Sequence, residues 1–244
     1  MAPAQAGMAR RSGSIRAAGA IARRLLRWYD AGHRRLPWRF PQHGADPYRV
    51  WLAEVMLQQT QVERVEAFYR RFLLRWPTLR ALASADEGEV LAAWSGLGYY
   101  ARARNLLAAA RQALRRHGGL PGSPEALSAL PGFGRYTAGA VASIAFAVPA
   151  PAVDGNAARV LARLFLVEGD PASTPVRRRL GAIAAALVPE LRPGDFNQAL
   201  MELGATVCRA PAPACPRCPL TGSCAARRHR PRRGGRSRRA RGRG

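Results

Sequence analysis

The sequence predicts an all-α protein, and two patterns carry that prediction. Apolar residues recur at steps of three and four through most of the chain, as they do on the buried face of a helix. Alternating strand patterns are nearly absent, and glycine or proline stands at almost every junction between the periodic stretches. The length of 244 residues suits one large domain or two small ones that pack closely together.

The predicted helices follow one another along the chain. The first lies in "IARRLLRWYDAG", where Ile21, Leu25, Leu26 and Trp28 share one side. The next stretch, "PYRVWLAEVMLQQTQVERVEAFYRRFLLRW", keeps a helical period for many turns. Seven further stretches have the same period: "DEGEVLAAWSGLG", "ARARNLLAAARQALRRHG", "SPEALSAL", "YTAGAVASIAFA", "GNAARVLARLFLV", "PVRRRLGAIAAALV" and "DFNQALMELGATVC".

The charge of the chain favours a polyanionic partner. The net charge is +24, all 39 basic residues are arginine, and nucleic acid is the simplest partner for such a chain. Residues 227–244 hold ten of the arginines and no acidic or large apolar residue, so we expect a disordered tail that contacts phosphates. Residues 1–18 are expected to form a flexible extension. No apolar run approaches the roughly 18 residues that a membrane span requires.

All four cysteines lie in "CRAPAPACPRCPLTGSC", residues 208–224. A chain of this length can bury its own core and shows no secretory signal, so clustered thiols favour a metal site over disulfides. The spacing Cys-x6-Cys-x2-Cys-x5-Cys has one tight pair, Cys215 and Cys218, whereas structural zinc sites usually have two such pairs. Ligation by four cysteines of one loop favours an iron–sulfur cluster by a small margin, and zinc stays open on spacing alone.

The segment "LPGFGRYTAGA" predicts a phosphate-binding turn between two helices. Glycines at Gly132 and Gly134 allow positive φ and a close approach of the backbone to a ligand. The N–H groups that open the following helix, near Arg135, can then bind a phosphate. A helix–hairpin–helix of this kind binds a DNA backbone without reading its sequence. An ordinary corner between two helices is the alternative.

Two acidic residues are candidates for chemistry. Glu54 lies on an otherwise apolar helix face, among Leu52, Val55, Met56 and Leu57. Burial would raise its pKa and keep it protonated near neutral pH, although a structural ion pair is the more common role of such a residue. Asp154, in "VDGN", is positioned to cap the helix that follows, and capping is the simpler interpretation.

Taken together, the motifs resemble a known family. In chain order they are "LPWR", "WLAEVMLQQTQV", "GLGYYARARN", "LPGFGRYTAGA", "VDGN", "FNQALMELGATVC" and the four-cysteine loop. They resemble the adenine DNA glycosylases of the MutY type, within the endonuclease III-like helix–hairpin–helix superfamily, over about residues 25–226. The blocks "EVMLQQTQV" and "GLGYYARARN" are specific to this branch, whereas the hairpin and the cysteine loop mark the superfamily more broadly.

The resemblance implies a two-lobed helical core, residues 19–226, with double-stranded DNA containing a mismatched or damaged base pair in the cleft. One lobe spans about 43–150 and contains the hairpin; the other joins the N-terminal helix to about 151–226. A 4Fe–4S cluster would be held by Cys208, Cys215, Cys218 and Cys224, and would fix the loop so that Arg209 meets phosphates. A monomer in a bacterial cytoplasm, associated with the nucleoid, is expected.

The resemblance also implies the chemistry. Glu54 matches the general acid of the family and Asp154 its second, ionised acid. Tyr136 stands where the lyase branch of the superfamily carries a nucleophilic lysine. A Schiff base requires an amine, and the sequence contains no lysine, so the expected reaction is hydrolysis without strand cleavage by a lysine.

Base extrusion needs residues that fill the vacated stack. Those that match the family are Gln58 and Gln59 near the flipped nucleotide and Tyr99 beside the opposing base, and weaker pocket candidates are Trp38, Arg39 and Gln198. Without the resemblance, Tyr99 could be a plain core residue. The family usually carries a further C-terminal, Nudix-like domain, and we expect this chain to lack it. Two alternatives remain: a glycosylase of the same fold that removes thymine or uracil opposite guanine, and a non-enzymatic, architectural DNA-binding module.

Overall fold

A computed structural model of the protein describes residues 3–39 and 45–229. These residues contain twelve α-helices, two short 3-10 turns and no β-strand. The helices are α1 (Pro3–Gly32), α2 (Pro47–Leu57), α3 (Val62–Arg75), α4 (Leu79–Ala83), α5 (Glu87–Trp94), α6 (Ala101–His117), α7 (Pro124–Ser128), α8 (Arg135–Phe146), α9 (Gly155–Phe165), α10 (Thr174–Leu187), α11 (Pro193–Thr206) and α12 (Ala225–Arg228). The predicted all-α class is confirmed.

The helices begin and end where the local sequence satisfies their free backbone groups. The side chain of Asp46 accepts hydrogen bonds from the first turn of α2, 2.8 Å from the backbone N of Tyr48. Ser123 caps α7 in the same way and is followed by Pro124, a residue suited to the first helical position. At the other end of α6, Gly118 takes the left-handed conformation with φ of 70°.

The long periodic stretch predicted after residue 46 is two helices, not one. α2 ends at Leu57 and α3 begins at Val62, so the helical period of this stretch is interrupted at "QQTQ". Gln59 has φ of 57°, a left-handed conformation that a helix cannot accommodate. The interruption takes both glutamines out of the helix and places them on a loop.

The molecule contains two hydrophobic cores. Core 1 is built from residues between 36 and 150, and Trp51, Phe72 and Trp94 are its largest fully buried side chains. Core 2 combines residues 18–29 of α1 with residues between 153 and 224. One lobe is therefore continuous in sequence, and the other is assembled from the two ends of the described chain.

The two lobes meet where α8 packs against α11. A Cβ at Gly194 would lie 2.6 Å from the backbone of Ile144, so the absence of a side chain allows the helices this close approach. Asn197, which is fully buried, donates to Ser143 Oγ at 2.9 Å and to the carbonyl of Ala150 at 2.8 Å. Its own Oδ1 accepts from the backbone N of Ala152 at 3.2 Å. These bonds hold the segment that leads from core 1 to α9.

The chain ends differ in part from the expectation of flexible extensions. α1 begins at Pro3, inside the segment 1–18, where alanine and arginine, both strong helix formers, are frequent. Arg227 and Arg228 of the expected tail belong to α12, and residues 230–244 lie outside the described part of the chain. None of the described helices combines the length and the apolarity that crossing a membrane requires.

Candidate active site at the junction of the two lobes

Glu54 and Tyr136 form a buried hydrogen-bonded pair. Glu54 lies on α2 and is 7% exposed, and the hydroxyl of Tyr136, on α8, donates to its Oε2 at 2.5 Å. Burial raises the pKa of the Glu54 carboxyl to about 7, because water no longer stabilises its charge. The hydrogen bond from Tyr136 acts against this rise, and the negative charge of Asp154 adds to it. Near neutral pH this carboxyl can therefore hold a proton and release it.

Tyr136 stays protonated and acts as a donor. Burial raises its pKa well above the usual value, and the charges of Glu54 and Asp154 add to this effect. Met201 Sδ, on α11, lies 3.3 Å from the same phenolic oxygen. The phenolic oxygen of Tyr136 therefore contacts both Glu54 and α11, a helix of the other lobe.

Asp154 caps α9, as its position in the sequence predicts. Its Oδ1 accepts from the backbone N of Ala157 at 2.7 Å, and its Oδ2 accepts from Asn156 Nδ2 at 3.0 Å. The same carboxylate is close enough to Glu54 to raise the pKa of that residue. The helix cap and the second acid of the site are thus one group, placed by the start of α9.

A buried ion-pair network lies between the lobes. Glu202, on α11, is 2% exposed and accepts from Arg39 Nη2 at 2.7 Å and from Arg34 Nη2 at 2.8 Å. Burial alone would raise the pKa of Glu202, but the bonds from the two arginines outweigh it and hold the pKa at about 2. Arg39 also lowers the pKa of Glu54 through its positive charge. Arg39 was predicted as a pocket residue; it lies in this network, beside the acid pair.

The hairpin between α7 and α8 is an open turn with free backbone donors. Gly132 has φ of 74°, and a Cβ there would lie 2.7 Å from Asn105 Cβ, so only glycine fits. Gly134 has φ of −89° and does not use the positive φ that glycine allows. It is the N-cap of α8, offers no capping side chain, and has open space where a Cβ would be. The exposed Arg135 follows it.

The two glutamines and Tyr99 lie on loops at the surface of core 1. Gln58 Nε2 lies 3.4 Å from Thr137 Oγ1 at the start of α8, and Gln59 is exposed. Tyr99 is 60% exposed and has φ of 51°, so it is not a core residue. Left-handed conformations are uncommon in residues other than glycine and often occur at functional sites.

The weaker pocket candidates differ in their surroundings. Trp38 is buried in core 1, where its ring meets that of Tyr69 edge-on at a centroid distance of 5.5 Å. Gln198 lies half-buried on α11, between Asn197 and Ala199 of the lobe interface.

The four thiols lie in one loop beside core 2, unpaired by disulfides. Burial raises the pKa of Cys218, and the negative charges of Cys208, Cys224 and Cys215 raise it further. Among the described residues, no three His, Cys, Asp or Glu side chains converge on a point that would hold a single metal ion. A cubane cluster spreads its four thiolates over four separate irons, and the donor set of four half-buried thiols fits such a group.

Two arginines of α9 connect the cysteine loop to Asp154. Arg163 Nη1 donates to the carbonyl of Cys208 at 3.1 Å and lies 3.4 Å from its Sγ. Arg159 Nε donates to the same carbonyl at 2.9 Å, and its Nη2 donates to Asn156 Oδ1 at 2.8 Å. Because Asn156 in turn donates to Asp154, the loop and the acid are joined by one chain of hydrogen bonds.

Residues 52–185 match the profile described as "HhH-GPD superfamily base excision DNA repair protein". The chain belongs to this superfamily. The match spans α2 to α10 and so includes Glu54, Tyr136, the hairpin and Asp154. It confirms the superfamily that the motifs indicated.

Curated relatives with high identity to the chain are named adenine DNA glycosylases. The protein from Homo sapiens is 50% identical over 212 residues, which are 83% of this chain and 38% of that protein. The protein from Mycolicibacterium smegmatis is 45% identical over 199 residues, 81% of this chain and 66% of that one. The resemblance to adenine DNA glycosylases is confirmed. The chain spans about two fifths of the length of the mammalian relatives that it matches.

Solved structures share the fold. A thermostable thymine-DNA glycosylase superposes with a TM-score of 0.76 at 28% identity, covering 86% of this chain and 96% of that one. An endonuclease III bound to DNA superposes with a TM-score of 0.65 at 24% identity, covering 79% of this chain and 89% of that one. The similarity to endonuclease III concerns the fold alone.

Several residues around the site were not predicted from the sequence. They are Arg34, Asn156, Arg159 and Glu202, which hold the site together through partly buried hydrogen bonds. A signal existed for Glu202, since an acid within the apolar helix "DFNQALMELGATVC" requires a partner when it is buried. The partners themselves are up to 168 residues away in sequence, and no local pattern identifies them.

Proposed function

We propose that the protein is a monofunctional base-excision-repair glycosylase that hydrolyses the N-glycosidic bond of adenine mispaired with 8-oxoguanine or guanine in double-stranded DNA. The observation that carries this proposal is the buried Glu54, whose pKa of about 7 suits a general acid at neutral pH. Its place beside a second carboxylate, in a family of base excision repair proteins, supports the assignment.

In the proposed reaction Glu54 delivers its proton to a ring nitrogen of the extruded adenine. The bond between the base and C1′ of the sugar then breaks, its electron pair leaves with the adenine, and the sugar becomes oxocarbenium-like. Water adds to C1′ and returns a proton to the Glu54 carboxylate, which restores the acid. The products are free adenine and an abasic site.

Asp154 would stabilise the positive charge that develops on the sugar. Its carboxylate is held by the backbone of Ala157 and by Asn156, so it needs no rearrangement during the reaction. Tyr136 donates to Glu54 and keeps that carboxyl in one orientation. A hydroxyl at this position, rather than an amine, is consistent with hydrolysis without a covalent intermediate.

The surrounding loops would hold the DNA. The uncapped start of α8, with Gly132 and Gly134 before it, offers backbone N–H groups to a phosphate. Gln58 and Gln59 would enter the duplex where the adenine leaves the stack, and Tyr99 would enter beside the opposing base. The net charge of +24 would draw the duplex to the protein as a whole, which we propose acts as a monomer.

We further propose that Cys208, Cys215, Cys218 and Cys224 hold a 4Fe–4S cluster. When bound, the cluster would supply a rigid anchor for the loop rather than a reactant. Arg163 and Arg159 would then carry the position of that loop to Asn156 and Asp154.

The decisive experiment is single-turnover release of adenine from duplexes with one A·8-oxoguanine or A·G pair. Glu54→Gln keeps the size of the side chain but cannot donate its proton, so the rate should fall by about 10²–10⁴ or more while duplex binding persists. Glu168→Gln, which neutralises an exposed acid, is the matched control and should keep the parent rate. Adenine release by Glu54→Gln near the parent rate would remove this residue from the mechanism.

A second candidate function has a specific observation in its favour. The thermostable thymine-DNA glycosylase superposes on 86% of this chain with a TM-score of 0.76 at 28% identity. Duplexes that contain G·T or G·U separate the two functions directly. Release of thymine or uracil from them, with no adenine from A·8-oxoguanine, would replace the first proposal with this one.

A further inference from the structure

We propose that Arg102 is a positioning residue: its guanidinium holds the loop of Gln58 and Gln59 and the loop of Tyr99 in the conformations from which both would enter DNA. The consequence for base excision rests on the proposed function. The contacts that carry the inference belong to the free protein and can be tested without DNA.

One side of the guanidinium closes α2. Arg102 Nη1 donates to the carbonyl oxygens of Val55 at 2.9 Å and Met56 at 3.1 Å, and also to that of Gln58. The last carbonyls of a helix have no N–H partner of their own, and a cation there is favourable. Arg102 thereby provides partners for the end of α2 just before the chain turns at Gln59.

The other side of the guanidinium binds the neighbouring loop. Arg102 Nη2 donates to the carbonyl oxygens of Leu97 at 3.2 Å and Gly98 at 3.3 Å. It also lies 3.3 Å from Thr60 Oγ1, at the far end of the glutamine loop. The guanidinium carbon is 5.3 Å from the centre of the Tyr99 ring, a distance at which a cation is attracted to an aromatic face.

Both loops contain a residue in a conformation that needs support. Gln59 has φ of 57° and Tyr99 has φ of 51°, and neither is glycine. Such residues persist only where their surroundings hold them. Their side chains are exposed, so packing of those side chains into a core does not supply the support. The bonds from Arg102 to the adjoining carbonyls do.

The arrangement requires the shape of arginine and not its charge alone. The two Nη atoms together reach six oxygen acceptors in two loops, whereas the donors of a lysine ammonium radiate from one atom. Arg102 Nε is buried and has no hydrogen-bond partner, and burial lowers the pKa of the side chain. Placing Arg102 here therefore carries a desolvation cost, which the hydrogen bonds of its two Nη atoms offset.

Hydrogen exchange of the full-length protein without DNA tests the contacts. Arg102→Lys should speed amide exchange on the order of tenfold in peptides covering residues 57–61 and 96–100. Arg111→Lys is the matched control, because Arg111 lies on the same helix and donates to the carbonyls of Ala83 and Ala85 at 3.0 and 2.8 Å. In Arg111→Lys, faster amide exchange should be confined to residues near 83–86.

Base release tests the consequence. Under single-turnover conditions Arg102→Lys should slow adenine excision about 10- to 100-fold, as displaced positioning groups do, while Arg111→Lys keeps the parent rate. If Arg102 acts through Tyr99, the double variant with Tyr99→Ala should be little slower than Tyr99→Ala alone. A general loss of stability would instead add to the effect of Tyr99→Ala.

The outcomes separate the proposed role of Arg102 from the proposed glycosylase function. Unchanged exchange at both loops in Arg102→Lys overturns the inference, whatever the activity. Faster exchange with unchanged base release shows that the loops do not need this support for excision and also overturns it. If the parent protein releases no adenine, the proposed function fails, while the exchange comparison still decides whether Arg102 holds the loops. Should Arg102→Lys not fold, Arg102→Gln, whose planar amide has fewer donors, should speed exchange at both loops, and unchanged exchange there would overturn the inference.

Discussion

Glu54 owes its chemistry to the place where α2 puts it. In water a glutamate is ionised at neutral pH, but burial raises the pKa of this one to about 7. The hydroxyl of Tyr136 donates a hydrogen bond to this carboxyl, and that bond favours the charged form. The two effects leave the carboxyl poised between protonation states in the physiological range, which is the condition for giving and retaking a proton.

Tyr136→Phe should therefore shift the pH profile of excision upward. Excision needs protonated Glu54, so the parent rate should fall as the pH rises through about 7. Removing the hydroxyl removes a bond to the charged carboxylate, worth about 1.5 kcal/mol, and so raises the pKa of Glu54 by about one unit. The measurement is the single-turnover rate from pH 5.5 to 9. An unchanged midpoint would mean that Tyr136 does not act on this carboxyl.

At the scale of single residues, the sequence predicted which side chains form the candidate site better than it predicted what those side chains contact. A glutamate among Leu52, Val55 and Met56 must be buried if that face of the helix packs into a core. Glu54 is indeed buried. The arginines that hold Glu202 could not be predicted, because the contacts depend on how α11 packs against the segment between α1 and α2. Local periodicity contains no information on that packing.

The start of α9 joins two functions in one carboxylate. Asp154 provides the N-cap and would stabilise the transition state. A substitution that removes both roles lowers the stability of the protein and the rate of the reaction together, so the test requires a residue that preserves the cap. Asparagine caps nearly as well as aspartate and carries no charge. The capped helix is also the element that carries Arg159 and Arg163 to the cysteine loop.

Asp154→Asn should keep the melting temperature within a few degrees of the parent and lower the rate of adenine release by about 10² or more. Asp86 caps α5 through Glu89 N at 3.1 Å, far from the acid pair in sequence, and Asp86→Asn is the control. The control should retain full activity. A stable and fully active Asp154→Asn would reduce Asp154 to a helix cap.

The helices themselves were largely predictable, and the break after Leu57 was not. Periodicity together with an N-cap of Asp, Ser or Gly identifies α5 and α7 to α10. Periodicity alone identifies α6 and α11, whose N-caps are Tyr100 and Arg192. The four polar residues of "QQTQ" interrupt the apolar pattern but do not forbid a helix. What ends α2 there is a guanidinium that comes from α6, 44 residues further along the chain.

On the scale of the whole molecule, Glu202 couples the lobes. Its folded pKa of about 2 lies below the usual value of 4.5, so its contribution to stability is complete above pH 4.5 and is lost as the pH falls through about 2. Glu202→Gln leaves Arg39, which is 10% exposed, without its charged partner. We expect a loss of about 3–5 kcal/mol in the free energy of unfolding at pH 7.

Denaturant unfolding of Glu202→Gln and of the parent at several pH values measures this loss. The difference between them should shrink as the pH is lowered from 4.5 towards 2, because the parent loses its ion pairs there as well. Glu66→Gln, which removes the exposed pair with Arg70, is the control and should cost less than about 1 kcal/mol. A constant difference down to pH 2 would contradict the account.

The basic tail should act on all duplexes alike. Deleting residues 230–244 removes eight arginines and leaves α12 intact. Binding should weaken equally for mismatched and matched DNA, and the slope of log affinity against log salt should become shallower, since fewer counterions are released. Replacing the same arginines with glutamine should have the same effect. A change in the ratio of affinities for A·8-oxoguanine and A·T duplexes would show that the tail reads the lesion.

Core 2 is assembled from both ends of the described chain, and this arrangement sets an order of events during synthesis. Core 1 can close once residue 150 has left the ribosome, whereas Ile21 and Leu25 have no partners until α9 and α11 exist. At about 5–20 residues per second, the apolar side of α1 waits on the order of 10 s. During that time the newborn chain carries a folded lobe and a basic, apolar-faced helix with nothing to cover it. We expect α1 to be the segment that chaperones bind during this interval.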